Sequence, residues 1–336
     1  MTAQVDEKVA TAAGAARSQR RRVVAVAGSA VGLAVLVFGV LQRGATPVLQ
    51  TVVDGSRLGL ALALIGVGLS LIYATTGIFN FAQGEFATLG AAVTLWLNTA
   101  LGLPVIAAAV IAVAVAGLAG LSSERVLWRP LRARRVDTIS ALVVAIGLGL
   151  ALRSLFLALM GGSTHSYREY SIQNPIDIAG VSITPKALWS CIVCLAAFAL
   201  LGYFLKKTRA GQAIRAVADD KTLAAASGIA VNAQLSLVWA IGGALAALGG
   251  VLLGFVEQVR WDMGNQVLLL VIAGVTLGGL GTVAGAVVGS VVVGIATQVS
   301  TLWLPAELKY VTALLLLVLI LLVRPQGILG RRERLG

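Results

Sequence analysis

Three polar residues carry the chemistry this sequence offers: Asn80, Gln83 and Glu85, within GIFNFAQGEFATLG (77–90). Apolar sequence flanks them, from Leu58 to Tyr73 before and from Phe86 to Leu103 after. Polar groups so placed can line a translocation pathway or a gate, and a single carboxylate can serve a proton relay. An ionisable group in a hydrocarbon zone costs ~2.5–3.5 kcal/mol on insertion scales, so it usually faces a cavity or a partner. Irregular backbone at depth is tolerated only against protein or a water-filled cavity. The plainer reading is a short polar loop standing in water. Two features weigh against it: the segment has no Lys or Arg, and it holds Phe79, Phe81 and Phe86. From the residues alone both readings stay open. A second arrangement, Cys191-x-x-Cys194, has the spacing of a redox or metal site. It lacks a second pair, and the only histidine, His165, lies in a distant loop, so both cysteines read as packing residues. No catalytic group, metal or cofactor is expected.

The elements that must position these residues are membrane helices. The chain has 336 residues, 58% hydrophobic and 12% charged, with a mean hydropathy of +0.94. Soluble domains are about 45–50% apolar and about 25% charged. Several stretches reach the ~18–20 apolar residues that span a hydrocarbon core. The fold class is therefore all-α, a polytopic transmembrane helical bundle. Spans are expected at 23–41, 58–76, 85–101, 104–121, 138–160, 186–205, 235–255 and 309–323. The apolar stretch from Gln266 to Leu304 is too long for one span and carries LGGLGTVAG (277–285), a natural breaking point.

Charge placement sets the count. The net charge is +12, and five Lys or Arg stand in each of 1–22, 122–137 and 206–234, with four in 324–336. Basic segments beside spans follow the positive-inside rule, and no basic domain outside the membrane is left to bind nucleic acid. All four segments lie in the cytoplasm only if 266–304 crosses twice, turning near Gly279–Gly281. The reading is about ten spans with both termini cytoplasmic: a tail at 1–22, a membrane domain at 23–323 with a cytoplasmic loop at 206–234, and a tail at 324–336. The run 23–41 is longer than a signal-peptide core and lacks an evident cleavage site, so it is expected to be a retained first helix. Arg153, in the fifth span, is expected to snorkel outward. Gly274/Gly278, Gly281/Gly285 and Gly285/Gly289 are four-residue pairs that let helix backbones approach closely.

NFAQGE (80–85), after GLSLIYATTGIF, resembles the N-F-A-x-G-E signature of LivH-type permeases, membrane subunits of branched-chain amino acid ABC importers. ERVLWRPLR (124–132), TRAGQAIRAVADDKTLAAASGI (208–229), GGLGTVAGAVVGS (278–290) and RPQGILG (324–330) resemble further family segments in the same order. Gln83 stands where many relatives carry His. The resemblance implies that Asn80, Gln83 and Glu85 lie on a pathway or gate. It also implies that the 206–234 loop docks on a separate ATPase through Arg209, Gly211, Arg215, Ala224, Ala225 and Gly228. The implied partners are two ABC ATPase subunits, a second related permease, an extracytoplasmic substrate-binding protein and the bilayer of the plasma (inner) membrane. The outer segment 161–185, with Arg168, Glu169 and Asp177, can contact that binding protein or be a plain surface loop. No G-x-x-x-x-G-K-[ST] phosphate loop occurs in the chain, so an ATPase must come from elsewhere. A urea or short-amide permease with the same machinery is the first alternative. A stand-alone channel or proton-coupled carrier is the alternative from another class.

Overall fold

The computed structural model describes residues 34, 37–168, 174–178, 180–305, 308–323 and 327–328. The 1–22 tail, most of the expected first span, Glu169 and most of the 324–336 tail lie outside the described residues. By packing, the chain forms two units, Met1–Gln50 and Thr51–Gly336. In the first unit residues 37–43 are helical.

The helices run α1 (Ala45–Thr76), α2 (Gln83–Ala100), α3 (Val105–Ser123), a π-turn (Glu124–Trp128), α4 (Arg129–Ala133) and α5 (Thr138–Met160). After them come α6 (Pro185–Lys207), α7 (Arg209–Asp219), α8 (Lys221–Ala226) and α9 (Val231–Val256). The chain then forms α10 (Met263–Gly278), α11 (Val283–Ser300) and α12 (Lys309–Val323). Among the described residues, six helical stretches are long and apolar enough to cross a membrane: Ala45–Thr76, Val105–Ala133, Thr138–Met160, Pro185–Lys207, Val231–Val256 and Val283–Ser300. One departure from an all-helical chain is a small antiparallel hairpin, β1 (Ile176–Ile178) and β2 (Val181–Ile183), in the loop before α6.

A helix apolar on every side is stable only when surrounded by protein or by lipid. The chain uses both solutions. On α1, Leu62, Leu64, Ile65, Val67, Leu69 and Ile72 are fully buried, and α9 buries Val238, Trp239 and Ala246. On α5 and α6 the apolar residues Ile139, Val143, Leu159, Leu188 and Leu195 point outward, as lipid-facing residues do. Helix α1 starts earlier than expected, at Ala45, and carries Asp54 and Arg57 as a pair one turn apart at 3.7 Å.

Helices α1 and α9 are antiparallel, since Gly242 sits beside Gly68 and Ile72 while Gly249 sits beside Ala61 and Ile65. Each ends in a short break, 77–82 after α1 and 257–262 after α9. The breaks therefore enter the bundle from opposite ends. Helices α2 and α10, which follow them, start against each other: a Cβ on Gly84 would lie 2.3 Å from the Gly264 carbonyl oxygen, and one on Gly264 2.1 Å from that of Gly84.

The stretch 266–304 forms two helices that turn at 279–282, where Gly279 (φ 111°) and Gly281 (φ 80°) adopt backbone angles that side chains disfavour. Gly274, Gly278, Gly285 and Gly289 form the contact between α10 and α11, where a Cβ on Gly278 would stand 1.7 Å from the Gly285 oxygen. Gly281 has a different job, serving the turn outside both helices.

Candidate translocation and coupling sites

The 77–82 break begins with a built helix end. The Gly77 N–H donates to Tyr73 O at 2.8 Å with Gly77 in the left-handed region (φ 75°). The Thr76 hydroxyl donates to Ile72 O at 2.7 Å and accepts from Ile78 N at 3.1 Å. Asn80 then folds the chain back on itself, its Oδ1 accepting from Ala82 N at 3.2 Å. Its Nδ2 donates to Gln83 Oε1 at 3.2 Å. Gln83 in turn donates from Nε2 to Gly242 O of α9 at 3.0 Å and reaches Ile65 O of α1 at 3.5 Å.

Ile65 stands eleven residues before the end of α1, about 16 Å at 1.5 Å per residue. Gln83 is therefore carried back along α1 into the interior of the bundle, well away from the helix end. Asn80 and Gln83 are fully buried and Glu85 is 3% exposed. All three are thus gathered inside the bundle at the start of α2. The plain water-exposed loop is not what forms, because the α1 and α9 carbonyls supply the partners that water would have supplied. Glu85 Oε2 is buried without a hydrogen-bond partner, and the charges that act on the carboxyl are those of Arg153 and Asp262.

The second break was hidden in what reads as an outer loop. Asp262 is 7% exposed. It is held by Arg260, from Nε to Oδ1 at 3.1 Å and from Nη2 to Oδ2 at 3.2 Å, and by Gln266 Nε2 at 2.8 Å. Tyr310 of α12 donates to Gln266 Oε1 at 3.1 Å, and Lys309 lies 3.8 Å from Glu257. His165 pairs with Val259 through both backbone bonds, at 3.0 and 2.8 Å, which ties the 161–168 loop to this break. Arg153 does not reach away from the bundle: its guanidinium lies 4.9 Å from the centroid of the Trp261 ring. One signal in the sequence could have exposed the relationship. An aromatic residue stands three positions before each junction glycine, Phe81 before Gly84 and Trp261 before Gly264.

Gly264 N also donates to Thr88 Oγ1 at 2.9 Å, so the α2–α10 junction is both close and hydrogen-bonded. Gly84→Ala would place its methyl against the Gly264 oxygen, and overpacking of this kind costs ~1–3 kcal/mol. The expected result is a melting temperature lower by several degrees for the purified protein, with Gly84→Val lower again. Equal melting temperatures for Gly84→Val and the parent would show that the two helix starts part freely.

The 206–234 loop holds two short capped helices. Thr208 Oγ1 accepts from Gly211 N at 3.0 Å to cap α7. Asp220 Oδ1 accepts from Thr222 N at 2.7 Å and Leu223 N at 2.9 Å to cap α8. Val217, Ala224 and Leu235 form a small core beneath them. The sequence-predicted residues separate here. Arg209, Arg215, Ala225 and Gly228 are exposed, whereas Gly211 and Ala224 are buried. A Cβ on Gly211 would stand 2.2 Å from Phe204 O, which makes that glycine the point where α7 folds onto α6. Next to the loop, the π-turn buries Glu124 in an ion pair with Arg132 (Nη1 to Oε2, 3.0 Å). It also stacks Trp128 on Trp239 of α9, with ring centroids 5.2 Å apart.

Apolar crossing helices, a break that leads Asn80, Gln83 and Glu85 into the bundle and a capped two-helix loop beside the basic segments define a multi-pass membrane permease. The chain belongs to the family described as branched-chain amino acid transport system / permease component, whose model matches residues 51–323. It is 35% identical over 300 residues to the high-affinity branched-chain amino acid transport system permease protein LivH of Escherichia coli K12, covering 85% of this chain and 96% of that one. It is 31% identical over 298 residues to the corresponding protein BraD of Pseudomonas aeruginosa, covering 85% and 96%. Among solved structures, PsaBC from Streptococcus pneumoniae in complex with Fab matches with a TM-score of 0.48 and 13% identity, covering 88% of this chain and 97% of that one.

Proposed function

We infer that this chain is the permease subunit of an ABC importer that moves branched-chain amino acids across the plasma (inner) membrane. The observation that carries this is the family match over residues 51–323, joined to 35% identity along 96% of the E. coli permease. A substrate-binding protein delivers the solute, two ABC ATPase subunits drive the cycle, and a second related permease completes the pore. The chain crosses the membrane ten times with both termini in the cytoplasm. The basic ends of α3 to α4 and of α6 to α8 support that orientation by the positive-inside rule.

Asn80, Gln83 and Glu85 act at the pathway or its gate. Their burial at the α2–α10 junction, with a carboxylate oxygen left unpartnered, supports this role. Arg209, Arg215, Ala225 and Gly228 face the ATPase, while Gly211 and Ala224 hold the two helices in place beneath them. The division between exposed and buried positions supports that assignment.

The test is purification of the chain from its native membrane in mild detergent, followed by uptake in vesicles made from what co-purifies. An ATPase carrying its own phosphate loop, a second permease and ATP-dependent uptake competed by leucine are the expected result. Competition by urea and not by leucine would reassign the solute to short amides. Uptake by the chain alone would overturn the importer. In the complete complex, Asn80→Ala combined with Glu85→Gln is expected to lower the initial uptake rate about tenfold or more at unchanged protein level. That is the size expected when one or two buried hydrogen-bonding groups are lost. A normal rate would remove both residues from the pathway.

A further inference from the structure

We propose that Lys221 is a positioning residue for transport, transmitting movement of the 206–234 loop to the break that holds Asn80, Gln83 and Glu85. The inference rests on the coupling role proposed above for that loop. Lys221 is the first residue of α8, and its Nζ donates to the backbone oxygen of Thr76 at 3.2 Å, across 145 positions of chain. Thr76 is the last residue of α1. Terminal carbonyls of a helix lack intrahelical partners and carry its negative dipole end, so an ammonium is a suitable cap there.

Thr76 has a second task that gives the contact its consequence. Its hydroxyl accepts from Ile78 N at 3.1 Å, so the residue held by Lys221 also sets the direction in which the 77–82 break leaves the helix. Asn80 follows four residues after Thr76. Through Asn80 the break reaches Gln83, which bridges α1 and α9, and the first turn of α2 packs Gly84 on Gly264. A displacement of α8 is thereby passed to the junction where α2 and α10 start against each other.

The chemistry of the contact suits a link that must hold while it moves. Lys221 stands on the exposed surface of α8, and four flexible carbons with three donors follow a shifting carbonyl more freely than a planar guanidinium does. Partial burial, together with the nearby positive charge of Arg132, holds the ammonium below the usual lysine range. Arg132 is itself occupied by Glu124. Asp220, the residue before, fixes the start of α8 by accepting from Thr222 N and Leu223 N. The anchor therefore belongs to the helix as a unit.

The experiment compares Lys221→Met, which keeps the stem and removes charge and donors, with Lys221→Arg. Both are made in the complete complex in proteoliposomes with the binding protein and L-leucine. ATP hydrolysis and leucine import are measured on the same vesicles. For Lys221→Met, ATPase subunits are expected to co-purify in normal amount and hydrolysis to stay within about twofold. Leucine imported per ATP should fall about tenfold, the scale of one lost charge-assisted hydrogen bond, and Lys221→Arg should recover most of it. An unchanged ratio in Lys221→Met would overturn the proposal. A proportional loss of hydrolysis, import and ATPase subunits would also overturn it, making Lys221 a docking or folding residue. Failure of the underlying coupling reading looks different, because the unaltered chain would then import leucine without its ATPases or would not retain them.

Discussion

Gln83→Glu is expected to cut leucine uptake by about two orders of magnitude in cells with matched amounts of the chain in the membrane. Gln83 is fully buried, and its Nε2 serves Gly242 O at 3.0 Å and Ile65 O at 3.5 Å. A carboxylate there would turn an oxygen toward those two carbonyl oxygens with no donor between them. Leaving a buried charge without a partner costs several kcal/mol, and about 1.4 kcal/mol corresponds to each factor of ten in rate. Gln83→Leu removes the donors without adding charge and also strands Asn80 Nδ2, which donates to Gln83 Oε1. It should cost about tenfold, because unsatisfied buried groups are penalised by ~1–3 kcal/mol. Gln83→His keeps a ring N–H and is expected to be the mildest of the three. The ordering His above Leu above Glu in initial uptake rate is the measurement. A Gln83→Glu protein with parental rates would mean that the side chain faces water, against the geometry described here.

Arg132→Met should lower thermal stability most among single changes near the basic end. Glu124 has no exposed side-chain area, and Arg132 supplies its ion pair. Removing one partner of a buried pair costs ~3–5 kcal/mol because the other charge stays buried. For a chain of this size that corresponds to a melting temperature lower by about 4–7 °C. Glu124→Met combined with Arg132→Met removes both charges and should recover most of the loss, since apolar replacement of a buried pair is often close to neutral. The comparison of single and double variants by thermal unfolding in detergent decides it. Equal melting temperatures for Arg132→Met and the parent would show that Glu124 does not depend on Arg132 for its burial. The consequence extends beyond the pair. The π-turn that carries Glu124 also carries Trp128, which stacks on Trp239 of α9.

Much of this protein is legible in its residues because transfer from water to hydrocarbon is a local property. A window of apolar residues has the same cost wherever the chain goes next, so the membrane class and the basic segments follow from composition and order. The turn at 279–282 is legible for a related reason: Gly279 and Gly281 permit backbone angles that the apolar residues around them disfavour. The polarity of Asn80, Gln83 and Glu85 in an apolar setting is likewise visible in the sequence.

What the tertiary structure alone decided is which backbone each of these groups meets. Gln83 is satisfied by Gly242, 159 positions away, and Thr76 is capped by Lys221, 145 positions away. No periodicity encodes such pairs, because they arise from the antiparallel packing of α1 and α9 and from the fold of the 206–234 loop. The segment 257–262 reads as an outer loop because its charges suggest water. It enters the bundle because Arg260 neutralises Asp262 and Gly264 lets α10 start against α2. Glycine spacing tells that a close approach is possible, but only the packing of distant helices determines what approaches. Hydropathy and charge placement therefore belong to the sequence by itself, while the meeting of the α2 and α10 starts belongs to tertiary packing.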